Sequence, residues 1–361
     1  METHANKSLT LWLFLVSFCI ALMVVVGGYV RLTRSGLSIV EWNAITGVVP
    51  PIGEQAWQAE FAKYQQTPEY QKVNTGMTLE AYKAIYYVEY YHRLIARLVG
   101  LAVVLPLFYF LLRGVIPWRK SAIYVTIAAL FGFQGFLGWY MVSSGLENMP
   151  NVSHYRLTIH LLFALGLLAL CLWTGLDSVV DFARRQGQPG KPLVTRLALG
   201  LLVVLVLQIA YGGLVAGLKA GHASDTFPLM FGYWLPPGLF TQPLPWWENW
   251  LATPATVQYI HRWFAFVVFG VVLWLYFVVK REQSADVIQR SVLAMVILVC
   301  VQITLGACVL WFHVELWLAL AHQATALLLF TVTIYLNYHL RPLPAVTKAR
   351  KLAAQHSFAA D

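Results

Sequence analysis

Eight stretches of about 20 apolar residues constrain this chain more than any other feature. They lie near residues 10–30, 93–112, 121–142, 156–178, 196–218, 257–279, 289–312 and 317–339. At 1.5 Å per helical residue each is long enough to cross a hydrocarbon core of about 30 Å. Only a helix or a closed barrel satisfies its own backbone in lipid, and runs this long read as helices. The chain is 59% hydrophobic and 11% charged, where a soluble domain carries about 25% charge. The expected class is an all-α integral membrane protein with eight transmembrane helices. The first run, Leu9 to Val30, is too long for a signal-peptide core and is expected to stay as the first span.

The net charge of +9 does not point to nucleic acid, because the cations sit in short connections between apolar runs. One side would hold Lys7, Arg113, Arg119, Lys120, Arg184, Arg185, Lys191, Arg196, Lys280, Arg281, Arg290, Arg341, Lys348, Arg350 and Lys351. The other side would hold Arg31, Arg34, Lys63, Lys72, Lys83 and Lys219, most of them offset by nearby glutamates. The positive-inside rule then places both termini in the cytoplasm, and a bacterial inner membrane is the expected location. Two connections on the outer side are long, residues 31–88 and 219–256. The first carries Trp57, Phe61 and Tyr64 at helical spacing, which suits an amphipathic helix on the membrane interface or over a cavity. The second is rich in Pro and Trp, as an interfacial cap would be. Cys19, Cys171, Cys300 and Cys308 all fall inside apolar runs and read as packing residues.

The chain repeats itself. Gly27-Gly28-Tyr29-Val30 matches Gly212-Gly213-Leu214-Val215, and Arg34-Ser35-Gly36 matches Lys219-Ala220-Gly221. Tyr91-His92-Arg93 matches Ile260-His261-Arg262. Gln134, Leu137 and Gly138 match Gln302, Leu305 and Gly306, and His160 matches His322. Four helices per half in the same orientation imply two pseudo-symmetric four-helix bundles, residues 1–178 and 179–361, as in a parallel repeat. The paired glycines suit close helix approach.

Of ten histidines, His92, His160, His261 and His322 fall one on each even-numbered span, each expected a few residues inside the outer end. A single histidine in a span is commonly a hydrogen-bonded core residue. Two at one depth in each four-helix unit can clasp a flat metal macrocycle between them. No thiol or carboxylate cluster accompanies them, which disfavours zinc or di-iron. The expectation is two bis-histidine haem sites, His92 with His160 and His261 with His322. Arg93, Arg262, Arg34 and Lys219 are the cations placed to meet haem propionates. Arg93 and Arg262 could equally snorkel to the interface.

The halves differ at one telling position. Glu89 precedes His92 by three residues on the same helix face, where the second half has the neutral Gln258. Arg97 likewise corresponds to Phe266. Electron transfer alone does not need that asymmetry. A reaction beside one of two haems does, with Glu89 as proton acceptor or charge stabiliser. The competing structural role for Glu89 is an ion pair with Arg93 or Arg97.

Gly27 through Ser38 with Trp42, Glu89-Tyr90-Tyr91-His92-Arg93 with Gly100, Gln134 through Trp139, His160-Leu161, Thr226 through Met230, His261-Arg262, Gln302 through Gly306 and His322-Gln323 together resemble the heme A synthase family over nearly the whole chain. The resemblance implies oxidation of the C8 methyl of heme O to the formyl group of heme A, for terminal oxidase assembly. It implies that His92 and His160 hold the substrate haem with Glu89 at the reacting methyl, and that His261 and His322 ligate a resident heme b. A heme O-producing farnesyltransferase and an electron carrier are the implied partners. Many bacterial members carry two cysteines in the first outer loop; residues 31–88 here contain none, so a thiol relay there is excluded. The competing readings are a non-catalytic di-haem b cytochrome working with quinone and a repeat-built transporter. The transporter would favour helices broken near the midplane.

Overall fold

The computed structural model describes residues 6–43, 46–147, 149–179 and 191–341. Arg184, Arg185, Lys348, Arg350, Lys351, His4 and His356 lie outside the described residues. Among the described residues the fold is helical, with α1 Lys7–Leu32, α2 Glu54–Gln65, α3 Pro68–Lys72, α4 Leu79–Leu112, α5 Ala122–Leu146, α6 His154–Val179, α7 Pro192–Gly217, α8 Trp246–Leu251, α9 Pro254–Arg281, α10 Asp286–Trp311 and α11 Leu316–Leu340. Eight of them, α1, α4, α5, α6, α7, α9, α10 and α11, are long and apolar enough to span a membrane.

Local chemistry sets the helix starts. Asn6 accepts from the Ser8 and Leu9 backbone N–H groups at the head of α1, Thr78 from Ala81 at α4, and Glu315 from Leu318 at α11. Pro192 and Pro254 open α7 and α9, where a missing N–H costs nothing. Pro106 lies inside α4 without interrupting it, so this helix is not broken at mid-membrane.

α1 packs on α4, α4 on α5, α5 on α6 and α6 on α1, which closes one ring of four helices. In the same order α7, α9, α10 and α11 close a second ring. The rings meet through α6 with α7, α1 with α11, and α6 with α11. Leu13, Val103, Leu168 and Cys171 from one ring and Leu201, Val272, Met295 and Leu336 from the other form one continuous buried cluster. Outward-facing Leu11, Phe18, Leu105, Phe108, Phe277 and Ile297 are more than half exposed. A surface that apolar is at home in lipid, not water.

α4 departs from the sequence expectation. It has 34 residues and begins at Leu79, where the apolar run suggested a start near 93. The extra turns carry Tyr82, Tyr86 and Tyr90 on one buried stripe, which α2 covers from outside. Trp57 packs edge-on against Tyr82 and Tyr86, and Tyr64 stacks on Tyr82 at 4.9 Å. The amphipathic α2 therefore turns its aromatic face to α4 as a lid. The second long connection, residues 219–256, is mostly irregular and leaves Trp234, Trp246 and Trp247 exposed.

Candidate functional site

The Gly-Gly segments place glycine backbone directly beneath the histidines. A Cβ at Gly27 would sit 3.5 Å from His92 Nε2, and one at Gly212 would sit 3.1 Å from His261 Cε1. On the facing helices a Cβ at Gly138 would sit 3.3 Å from His160 Cε1, and one at Gly306 would sit 3.1 Å from His322 Cε1. Each half thus seats its two histidines on two glycines. Added methyl groups at Gly138, Gly212 and Gly306 would crowd the rings, whereas Gly27 leaves ordinary contact.

In the second half the His261 and His322 rings have centroids 6.3 Å apart at 75°. Imidazole–metal bonds of about 2.0–2.1 Å on opposite sides of one metal put ring centroids roughly 6 Å apart. His160, His261 and His322 each keep a buried Nδ1 with no hydrogen-bond partner, a costly state for a polar atom that water or a ligand would relieve. The other ring nitrogen faces a glutamine: Gln302 Nε2 is 3.1 Å from His322 Nε2, and Gln134 Nε2 is 3.4 Å from His160 Nε2. Fixing one nitrogen of a ligand histidine orients the ring. Gln208 donates to the His261 carbonyl at 2.9 Å and Gln134 to that of His160 at 3.2 Å. These residues fit a bis-histidine haem. His92 and His160 lie within electrostatic reach of each other in the first half.

The histidines do not begin their helices at a common distance. His160 and His322 lie six residues past the first residues of α6 and α11, and His261 seven past that of α9. His92 lies thirteen past that of α4, because α4 extends outward beneath its lid.

Glu89 is 2% exposed and fully engaged. Its Oε2 accepts from Ser38 Oγ at 2.7 Å and the Ile39 N–H at 2.9 Å. Its Oε1 accepts from Arg93 Nε at 3.0 Å and Nη2 at 2.6 Å. Arg93 also donates to the Ile39 and Glu41 carbonyls, both at 3.0 Å, and lies over the Trp42 ring at 4.8 Å. Four of the five guanidinium N–H groups are thus spent on Glu89 and the loop that follows α1. Arg93 is a brace for Glu89 and that loop. Arg97 donates to the carbonyls of Arg93 and Asn43. Beside Arg93 a cavity of about 370 Å³ opens under the lid, lined by Tyr86, Tyr90, Arg97, Glu60 and Lys63.

The equivalent place in the second half has opposite polarity. Gln258 Nε2 donates to the Gly221 and Ser224 carbonyls at 3.2 and 2.9 Å. Both side chains tie the ligand helix to the segment that follows the Gly-Gly helix, one as anionic acceptor and one as neutral donor. Arg262 donates from Nη1 to Leu229 and Pro228 carbonyls, while its buried Nε and Nη2 have no partner. Arg262 therefore keeps more donors to offer a carboxylate than Arg93, which has a single N–H left.

Arg34 and Lys219 share the left-handed φ of 53° at equivalent positions. Arg34 and Lys219 lie within electrostatic reach of each other and of Glu69, and Lys219 also of Arg31. Burial and then Arg34 hold the Lys219 ammonium below its usual range. Burial pushes Glu69, which accepts from Tyr64 Oη at 3.3 Å, up to about 7. Sequence reasoning gave no individual role to Ser38 and Gln323, which stand in the motifs above, and missed Gln208. The available signal was a polar side chain inside or at the edge of an apolar run.

Residues 10–334 match the family model described as COX15-CtaA, cytochrome oxidase assembly protein. A relative named heme A synthase from Nitrosospira multiformis is 41% identical over 336 residues, covering 93% of this chain and 94% of the relative. One of the same name from Wolbachia pipientis is 43% identical over 337 residues, 93% of each chain. Another, from Agrobacterium fabrum, is 42% identical over 333 residues, 91% of this chain and 89% of the relative. With matches of this extent on both counts, the chain belongs to the COX15-CtaA family of cytochrome oxidase assembly proteins.

Proposed function

We propose that the chain is a heme A synthase that oxidises the C8 methyl of heme O to a formyl group. The observation that carries this reading is the paired histidine clasp with an anionic seat in one half only. His92 and His160 hold the substrate haem. His261 and His322 hold heme b, with Arg262 offering its free donors to a propionate and Lys219 and Arg34 supplying positive charge between the sites. Heme b, when bound, supplies reversible one-electron chemistry.

Glu89 works from inside its seat. Ser38, the Ile39 N–H and Arg93 fix both carboxylate oxygens, so the group is preorganised and needs no rearrangement as charge develops at the methyl carbon. Turning a methyl into a formyl group through the alcohol level takes an oxygen atom from water, releases protons, and passes the withdrawn electrons to the electron carrier. Glu89 places negative charge, and a proton acceptor, on the face of α4 next to His92. The lid formed by α2 and the first loop limits water access from outside.

The membrane assignment follows from charge. With both termini in the cytoplasm, the two clasps lie toward the outer face of a bacterial inner membrane. The farnesyl tail of heme O is apolar and reaches its site from the lipid side, between helices of the first ring. A heme O-producing farnesyltransferase and an electron carrier are the partners this chemistry requires.

The test is haem extraction from the purified chain, produced together with a heme O supply, followed by chromatography and mass measurement. Heme A, or its alcohol-level precursor, together with heme b is expected. Heme b alone would favour a non-catalytic di-haem cytochrome and overturn the assignment.

A further inference from the structure

The second glycine of each Gly-Gly pair faces across the molecule. Gly27 and Gly212 meet the histidines of their own halves, but Gly28 and Gly213 meet the opposite half. A Cβ at Gly28 would lie 2.7 Å from Gln323 Cδ and 2.8 Å from its Nε2. The Gln323 amide therefore lies flat on the α1 backbone, and its Nε2 donates to the Val24 carbonyl at 2.6 Å. At Gly213 the neighbour is Thr158 of α6, with Oγ1 2.8 Å from a built Cβ. Thr158 gives its hydroxyl proton to His154 of its own helix, so it touches α7 by contact alone. Only one of the two crossings is a hydrogen bond, and it runs from the C-terminal half into the N-terminal half.

We propose that Gln323 is a positioning residue for the N-terminal clasp, supplied by the C-terminal half. It directly follows His322 on α11. The bond to Val24 and the seat on Gly28 fix α1 against α11 within one turn of Gly27, the residue on which His92 rests. A bond in the reverse direction, from Arg31 Nη1 to the Ala216 carbonyl of α7, lies near Gly212, so each half braces the other's Gly-Gly helix and Gln323 is the brace on the Gly27 side. This rests on the assignment of His92 and His160 to the substrate haem.

The test uses the full chain with a heme O supply and the variants Gln323→Met, Gln323→Ala, Gly28→Ala and Gln323→Ala with Gly28→Ala. Met keeps the length and loses the donor. Heme b content reports folding of the C-terminal clasp, and heme O plus heme A content with low-temperature EPR of the second low-spin centre reports the N-terminal one. Loss of one such hydrogen bond is expected to lower heme O and heme A retention about 2- to 10-fold and to shift that EPR signal, with heme b unchanged. Gly28→Ala, which must expel the amide, is expected to match Gln323→Ala, and the double variant to be no worse than either single, because the shortened side chain leaves room for the added methyl. Parallel loss of heme b, additive effects in the double variant, or an unshifted N-terminal signal in both Gln323 variants would overturn the proposal. Absence of heme O and heme A from the parent chain would instead overturn the functional assignment.

Discussion

Glu89→Gln is the substitution whose consequences the structure defines best. The change is nearly isosteric, so its effect is chemical. The carboxylate receives four donated hydrogen bonds, two from Arg93 and two from Ser38 and Ile39. An amide has one acceptor oxygen; its nitrogen would point a donor either at the Ile39 N–H and Ser38 or at Arg93. Gln258 shows where an amide is suited, because its neighbours there are the carbonyls of Gly221 and Ser224. Removing one partner of a buried ion pair costs about 3–5 kcal/mol. At the lower figure, docking of the first outer loop weakens roughly 100-fold. Hydrogen exchange read by mass spectrometry should show that loss of protection in residues 33–43, with the cores of α9 and α11 unchanged. Heme b should stay and heme A formation should stop. Native-like protection of residues 33–43 together with near-normal heme A would refute both the structural and the chemical role given to Glu89.

Three further outcomes follow from named contacts. Arg262→Gln removes two free buried donors, and heme b retention should drop about 10-fold or more, measured as haem per polypeptide after washing, with substrate haem less affected. Gly306→Val pushes two methyl groups at His322 and should abolish the heme b absorption band while the chain still reaches the membrane. Glu69 binds its proton up to about pH 7 in the folded lid, against a usual 4.5. The folded state then holds more protons than the open one between those values, so the contribution of Glu69 to lid docking is full below 4.5 and is lost as pH rises to 7. The total change is roughly 3 kcal/mol. Limited proteolysis of residues 54–78 should accelerate over that window, and Glu69→Gln should flatten the dependence.

The eight spans were readable because lipid demands long apolar runs, and the four histidines because a repeat marks them twice. The outer turns of α4 were not readable from hydropathy. Glu80, Lys83 and Glu89 break the apolar run, and the tyrosine stripe gains its burial from α2, a long-range contact. The direction of Arg93 was half visible: Glu89 and Arg93 are i, i+4 neighbours, yet the choice between Glu89 and a propionate depends on where the Ile39 and Glu41 carbonyls lie. Arg34 and Lys219 aligned correctly in the repeat, but the repeat could not show that the two halves bring them together. The same limit hid Gln323, since a contact between α1 and α11 joins residues 299 apart. The glycines looked like packing residues and are, but what they pack against is the histidines and the opposite half.

The most direct test of the central claim is to compare His92→Ala, His160→Ala, His261→Ala and His322→Ala in one preparation series, with heme b, heme O and heme A quantified per polypeptide. Two separate clasps predict that the first pair keeps heme b and loses heme A formation, whereas the second pair loses heme b. Equal loss of heme b in all four variants, or heme A formation surviving in both of the first pair, would contradict the account.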